Sequence, residues 1–261
     1  MNKTALQDQW LAAAVEAAHT GGQILQEWIG RFSVREKSRS NLVTEADEAS
    51  QAAIVSVLQR HFPHHGFLGE ENLSLGGRDH ECCWIIDPLD GTSNYVHGFP
   101  YYAVSIALSV QGKMEVGVIF DPTRNETFSA IADQGAWLND RSIHTSGETQ
   151  LPFAMGVASL PVATDPENPA VRRFLTALTK LQTVQRTGSA ALNLASLAAG
   201  RIDAFWSSSL HPWDVAAGAL LVKESGGIVT KLTGEPFDAF VPSLMAGSTA
   251  ILHQELLNAL G

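Results

Sequence analysis

Trp84-Ile85-Ile86-Asp87-Pro88-Leu89-Asp90-Gly91-Thr92-Ser93-Asn94 is the stretch from which both fold and chemistry can be read. Three consecutive apolar residues predict a buried strand, and it ends in two aspartates three residues apart. Pro88 fixes the backbone between them, and Gly91 permits a turn before a helix start. Two carboxylates held this close repel each other unless a cation lies between, and aspartate oxygens suit Mg²⁺. The amides of Gly91 and Thr92, heading the next segment, point outward, where they can hold an anion. A metal site and a phosphate site would then be contiguous. The plainer reading makes Asp90-Gly91 a turn and Asp87 a strand-end cap.

Before this strand the period is helical. Leu6, Trp10, Ala14, Ala18, Leu25 and Trp28 predict a long amphipathic helix over Ala5 to Ile29, with a tight packing contact at Gly21-Gly22. A second helix starts at Thr44, where Thr-x-x-Asp through Asp47 forms a cap, and it runs to about His61. After the strand, Tyr102 to Val110 and Met114 to Phe120 read as a hairpin around Gln111-Gly112-Lys113, followed by short strands at Thr127 to Ile131 and Gly135 to Leu138. Residues 1–146 therefore form an α+β half with an antiparallel-looking sheet.

From residue 147 to 261 strands and helices alternate. Strands are expected at Ala154 to Ala158, Leu181 to Arg186, Asp203 to Trp206, Ile228 to Lys231 and Leu244 to Ala246. Helices are expected at Pro169 to Leu181 (with Val171, Phe174, Leu175 and Leu178 on one face), Ser189 to Ala199, Trp213 to Glu224 and Ile251 to Leu260. No Pro-, Ser- or charge-rich linker separates this α/β half from the first, so the two are expected to share one interface and act as one catalytic domain.

The 261 residues carry 27 acidic and 17 basic side chains, a formal net charge of −10, and 45% hydrophobic residues. Such a chain can bury roughly 70–75% of its unfolded surface, which excludes disordered and fibrous classes. No apolar run approaches the roughly 20 residues that span a bilayer, and Met1 to Trp10 is not a basic stretch leading into an apolar one, so a cytoplasmic protein without a membrane partner is expected. Cys82 and Cys83, adjacent in sequence, would make a strained disulfide and read as reduced thiols. The sequons at Asn72 and Asn125 are then accidental. The acidic surface disfavours direct nucleic-acid binding.

Other acids each have an ordinary structural role open to them. Glu70, after Phe67-Leu68-Gly69, reads as a loop residue, Asp214 as an acid favoured in a helix first turn, and Asp47 as half of a capping box. Lys37 and Asn41 read as surface residues.

Taken together in order, Gly69-Glu70-Glu71, Asp87-Pro88-Leu89-Asp90-Gly91-Thr92-Ser93-Asn94 and Trp213-Asp214-Val215-Ala216-Ala217-Gly218 resemble the inositol monophosphatase family of Mg²⁺-dependent phosphatases. The match extends to Lys37-Ser38, Asn41 to Asp47, Gly188-Ser189-Ala190-Ala191 and Gly226-Gly227, and so covers nearly the whole chain. The resemblance implies a layered α-β-α-β-α sandwich. It implies that Glu70, Asp87 and the Leu89 carbonyl bind one metal, that Asp87, Asp90 and Asp214 bind a second, and that Glu70 holds a weaker third through water. Thr92 and Asp47 would orient the attacking water, with Glu70 also in the catalytic set, and the Gly91 and Thr92 amides would hold the phosphate. Two or three Mg²⁺ ions would neutralise the phosphate and stabilise the leaving alkoxide.

Gly188, Ser189 and Ala190 would line the substrate, with Asp90, Asp214 and Ser207 also in contact. Ser207 stands where animal members have an inositol-contacting glutamate. The expected reaction is hydrolysis of a small polyol phosphate, foremost inositol 1-phosphate, with histidinol phosphate or a broader range of sugar phosphates as alternatives. Lithium sensitivity and a homodimer are family expectations. His211, beside Pro212, reads as a packing residue. An aspartyl-phosphate mechanism is disfavoured because Asp87 and Asp90 have two residues between them rather than one. A non-enzymatic role as partner of protein or RNA machinery, with an incidental phosphatase site, is the alternative of another class.

Overall fold

A computed structural model describes residues 3–38, 41–76, 80–162, 164–241 and 243–261; the side chains of 36–38 and 41–43 lie outside the described part, and with them those of Lys37 and Asn41. Helix α1 (Lys3–Trp28) is followed by a hairpin of β1 (Val34–Ser38) and β2 (Asn41–Thr44), then α2 (Glu45–His61). Next come β3 (Gly66–Gly69), β4 (Ser74–Leu75), β5 (Cys82–Asp90) and the short α3 (Thr92–Val96). A meander follows: β6 (Ala103–Val110), β7 (Lys113–Asp121), β8 (Glu126–Ile131), β9 (Gly135–Leu138) and β10 (Arg141–Ser142). The second half runs β11 (Met155–Ser159), α4 (Pro169–Leu178), β12 (Thr183–Gln185), α5 (Ala190–Ala198), β13 (Ala204–Ser207), α6 (Pro212–Glu224), β14 (Ile228–Thr230), β15 (Leu244–Gly247) and α7 (Ala250–Leu260).

The strands form an eight-stranded sheet, ordered β10-β9-β8-β7-β6-β5-β3-β4, and a five-stranded one, ordered β12-β11-β13-β15-β14. Period-2 alternation decides what each face meets. Trp84, Ile86, Ile106 and Val118 pack with Ala14, Ala18 and Ile54 of α1 and α2. Ile85, Ala107 and Ile119 point the other way, into a core with Leu194, Val215, Leu221 and, from the second sheet, Phe205 and Ala246. The opposite face of that second sheet, with Trp206 and Met245, packs on Leu252 and Leu256 of α7. The layers are therefore α-β-α-β-α. The middle core draws side chains from both halves of the chain. Helices α5 and α6, lying between two sheets, are buried all round, which is why Val215 to Val222 show no polar face.

Helix α1 is continuous through Gly21-Gly22, and the glycines make the expected close contact: an added Cβ would sit 2.7 Å from Ile54 and 2.5 Å from Phe120 respectively. The hairpin at 110–113 closes on two residues of positive φ, Gln111 at 51° and Gly112 at 80°, the geometry that matches strand twist.

Three expectations change. The first sheet is not wholly antiparallel, because β3 pairs parallel to β5. Helix α4 ends at Leu178 rather than 181; of its expected apolar face Phe174 packs on the core, but Leu175 and Leu178 are about half exposed, and Ala170 and Ala177 are the residues it buries. The β1–β2 hairpin has no apolar alternation in its sequence and was not expected. Among the described residues no helix is long and apolar enough to cross a membrane.

Candidate active site

The site forms where the C-terminal ends of the parallel strands β3 and β5 meet the N-termini of α2, α5 and α6. On a regular strand Asp87 and Asp90, three apart, would face opposite sides of the sheet. They do not, because β5 carries a bulge. Asp87 pairs with Ser105 and Asp90 with Ala103, so two residues of β5, Pro88 and Leu89, oppose one of β6, Val104. The extra residue resets the alternation and turns both carboxylates to the α5/α6 side, while Leu89 points into the α1/α2 core. Pro88 is held from below by the Ser50 hydroxyl, which donates to its carbonyl at 3.1 Å.

Asp214 arrives from the first turn of α6, and one carboxylate oxygen from each of Asp87, Asp90 and Asp214 lies within 4.8 Å of the others. Glu70, directly after β3, is close enough for its charge to act on Asp87. Among the described residues no lysine or arginine pairs with the three aspartates. Burial first, then the neighbouring charges of Glu70, Asp90 and Asp214, drive the Asp87 carboxyl well above the ordinary carboxylate range. Burial and Asp214 push Asp90 up to about 7, against the hydrogen bonds it accepts from Ser189 and Ala191. Burial likewise raises Asp214 to about 6, opposed by a bond from the His211 backbone.

Each carboxylate is held by a short-range donor. Asp87 Oδ1 accepts from the Leu89 amide at 3.0 Å. Asp90 Oδ2 accepts from Ser189 Oγ at 2.5 Å and from the Ala191 amide at 2.7 Å. Asp214 Oδ2 accepts from the His211 amide at 2.7 Å, and the His211 ring stacks on Trp213 with centroids 4.9 Å apart, a packing role as read from sequence. Ser105 Oγ donates to the Trp213 carbonyl at 3.1 Å, tying α6 to the sheet beside Asp87.

Asp47 does two things at once. Its Oδ2 accepts from the Thr44 amide at 2.8 Å and the Thr44 hydroxyl at 2.6 Å, completing the capping box of α2. Its Oδ1 faces Thr92, whose hydroxyl lies 3.4 Å from that oxygen and 3.1 Å from the Leu89 carbonyl. Asp47 is fully buried, and burial raises its carboxyl to about 6. Gly91, the residue before α3, has φ of 100°, and a Cβ there would stand 3.0 Å from the Tyr101 carbonyl, so the turn that delivers Thr92 needs glycine.

The remaining residues read from the sequence lie in the same region with different exposure. Gly188 packs on Asn94 at φ of 91°, Ser189 is fully buried at the N-cap of α5, and Ala190 is buried beside it. Ser207 ends β13, is 1% exposed, and its Oγ accepts from the Ser209 amide at 3.4 Å. One contributor carried no sequence signal: Ser105, an ordinary hydroxyl residue whose value comes from what the fold places beside it.

The donor set is all oxygen, mostly carboxylate, with neither His nor Cys. Among the described residues no cationic side chain pairs with the three aspartates to offset their mutual repulsion. Both features fit a hard divalent ion such as Mg²⁺ better than zinc or copper.

A sequence model of the inositol monophosphatase family matches residues 6–261. The chain is 41% identical over 256 residues to the inositol-1-monophosphatase of Synechocystis sp., covering 96% of this chain and 88% of that one. It is 39% identical over 247 residues to Nus factor SuhB of Pseudomonas aeruginosa, covering 92% and 91%. The crystal structure of extragenic suppressor protein suhB from Bartonella henselae superposes with a TM-score of 0.91 at 35% identity, covering 95% of this chain and 97% of the other.

Proposed function

Because the chain belongs to the inositol monophosphatase family, and is thus a phosphoric monoester hydrolase, we propose that it is a Mg²⁺-dependent phosphomonoesterase acting on a small polyol phosphate, foremost inositol 1-phosphate. The observation that carries this reading is the meeting of Asp87, Asp90 and Asp214 within 4.8 Å, without a cationic partner among the described residues, beside the Asp47–Thr92 pair. In this reading Glu70, Asp87 and the Leu89 carbonyl hold one ion, and Asp87, Asp90 and Asp214 a second. Divalent ions bound there supply charge neutralisation for the phosphate and acidify water.

The protein's own residues do the rest. Thr92 and Asp47 form a donor–acceptor pair that orients the attacking water and takes up its proton, Asp47 being suited by a carboxyl raised to about 6. The Gly91 and Thr92 amides hold the phosphate oxygens. The buried environment of the carboxylates strengthens each of these interactions. No protein nucleophile is invoked, since Asp87 and Asp90 are both committed to ion binding.

The test is phosphate release from inositol 1-phosphate, histidinol phosphate, fructose 1,6-bisphosphate, adenosine 3′,5′-bisphosphate and glycerol 2-phosphate, after EDTA treatment and after Mg²⁺ is restored. Release that needs Mg²⁺ and is fastest for inositol 1-phosphate is expected. No release from any member refutes the reading. Ser207 bears on the choice of substrate, because a short hydroxyl there leaves a polyol contact longer than a glutamate would. Histidinol phosphate and other sugar phosphates are the next substrates in line. Inhibition by millimolar Li⁺, a homodimer and a cytoplasmic location follow from the same reading.

The relatives named Nus factor SuhB support a second reading, in which the protein also binds a component of the transcription machinery. The net charge of −10 favours a protein partner over direct RNA contact. A pull-down that recovers a stable partner, from a protein inactive on every phosphate ester, would make this the primary role.

A further inference from the structure

Ser189 reads from the sequence as a substrate contact, but its geometry points elsewhere. It is fully buried, its hydroxyl donates to Asp90 Oδ2 at 2.5 Å, and the same oxygen accepts the Leu192 amide at 3.2 Å as the N-cap of α5. One residue on, the Ala191 amide donates to that same Asp90 Oδ2 at 2.7 Å. Two strong donors thus engage one oxygen of Asp90, and both come from the start of one helix. Asp90 belongs to β5 in the first half of the chain and Ser189 to α5 in the second, 99 residues away.

We propose that Ser189 is a positioning residue that fixes Asp90 as a one-oxygen ligand for the divalent cation, so that the cation site is complete only when the N-terminus of α5 is seated on β5. A free aspartate can swing or chelate with both oxygens. One pinned at Oδ2 leaves Oδ1 in a single orientation within the carboxylate cluster, and no rotamer freedom has to be lost when the ion arrives. The proposal rests on the cation-dependent reading above, and its test separates the two.

Ser189→Gly, Ser189→Ala and Ser189→Thr are compared with the wild type by calorimetric titration of the cation-free protein with Mg²⁺. Substrate KM is measured at saturating Mg²⁺. Glycine serves well at N-caps, so Ser189→Gly removes the hydroxyl while keeping the helix start. The Gly and Ala variants are expected to bind Mg²⁺ about 10-fold more weakly or worse, and Thr, which keeps the hydroxyl, within about 3-fold of wild type. Substrate KM should stay unchanged. Unaltered Mg²⁺ affinity in Ser189→Gly and Ser189→Ala, with a raised KM, would make Ser189 a substrate contact and overturn the proposal. A Thr variant as impaired as the Ala one would also overturn it, since volume rather than the hydroxyl would then matter. Failure of the wild type to take up Mg²⁺ at all would instead strike the cation-dependent reading itself.

Discussion

Replacing Asp90 by asparagine should make the cation-free protein more stable while abolishing its activity. The three aspartates lie within 4.8 Å of one another, and at an effective dielectric of about 20 each pair of charges at that separation costs about 3 kcal/mol. The proton linkage gives a similar figure. Asp90 has an ordinary value of 3.8 and is raised to about 7 in the folded protein, so holding it ionised above pH 7 costs on the order of 4 kcal/mol. The sign follows from proton uptake: between about pH 4 and 7 the folded state binds more protons than the unfolded one. Stability of the cation-free protein is therefore full below pH 4 and lost as pH rises through 7. An asparagine can still accept from Ser189 and Ala191 but carries no charge. In EDTA at pH 8, Asp90→Asn should exceed the wild type by about 2–3 kcal/mol in urea denaturation, or roughly 5–10 °C in Tm. At pH 5, where the wild-type carboxyl is protonated, the gap should close. With Mg²⁺ the order should reverse, because only the wild type gains binding energy. An Asp90→Asn protein no more stable than wild type at pH 8 in EDTA would refute the claim that burial and mutual repulsion of the aspartates strain the cation-free fold.

Thr92→Ala and Asp47→Asn should each lower kcat by about 10²–10⁴ while leaving Mg²⁺ affinity intact, because neither touches the ion in this arrangement; calorimetry alongside turnover checks both. Asp47→Asn should also cost about 1 kcal/mol in urea denaturation, as the capping box of α2 weakens. Raised values of about 7 for Asp90 and about 6 for Asp214 mean that protons compete with the cation. The acid limb of the kcat/KM profile should therefore lie near pH 6–7 at limiting Mg²⁺ and move to lower pH as Mg²⁺ is increased. Gly22→Ala would place a methyl 2.5 Å from the Phe120 ring and should cost about 1–3 kcal/mol by thermal melt, with activity per folded molecule unchanged. Ser207→Glu should raise the preference for inositol 1-phosphate over glycerol 2-phosphate; an unchanged ratio would remove Ser207 from the specificity set.

Much of this was legible because the strongest signals are local. The apolar periods of α1 and β6, the Gln111-Gly112 turn, and Thr44 as the start of α2 depend on neighbours in sequence. The features that escaped depend on partners far along the chain. Nothing in Gly66-Phe67-Leu68-Gly69 tells whether its neighbour runs parallel, since strand direction is set by what lies between. Leu175 and Leu178 continue a helical apolar face, yet α4 sits at the outside of the last layer, where the sheet's edge leaves them uncovered. The resemblance named the four acids, but not the bulge at Asp87–Asp90 that turns those two to one side. That bulge is a property of pairing with β6.

Asp47, Asp90 and Asp214 show why structural and functional readings of an acidic residue need not compete. Asp47 and Asp214 sit at the third position of a helix and accept from the residue that begins it, as a capping box requires. Asp90 plays the same part from outside, accepting from the cap and first turn of α5. Each bond engages Oδ2, and for Asp47 Oδ1 is seen facing Thr92. A helix N-terminus favours negative charge nearby, so three such termini can gather carboxylates that would otherwise drive one another apart. The support is incomplete, since burial still raises all three carboxyls. That residual strain has a direction: it is relieved by protons at low pH and by a divalent cation at neutral pH. The acidity that keeps the protein's surface away from phosphate thus becomes, inside the cleft, the reason a cation and then a phosphate ester can settle there.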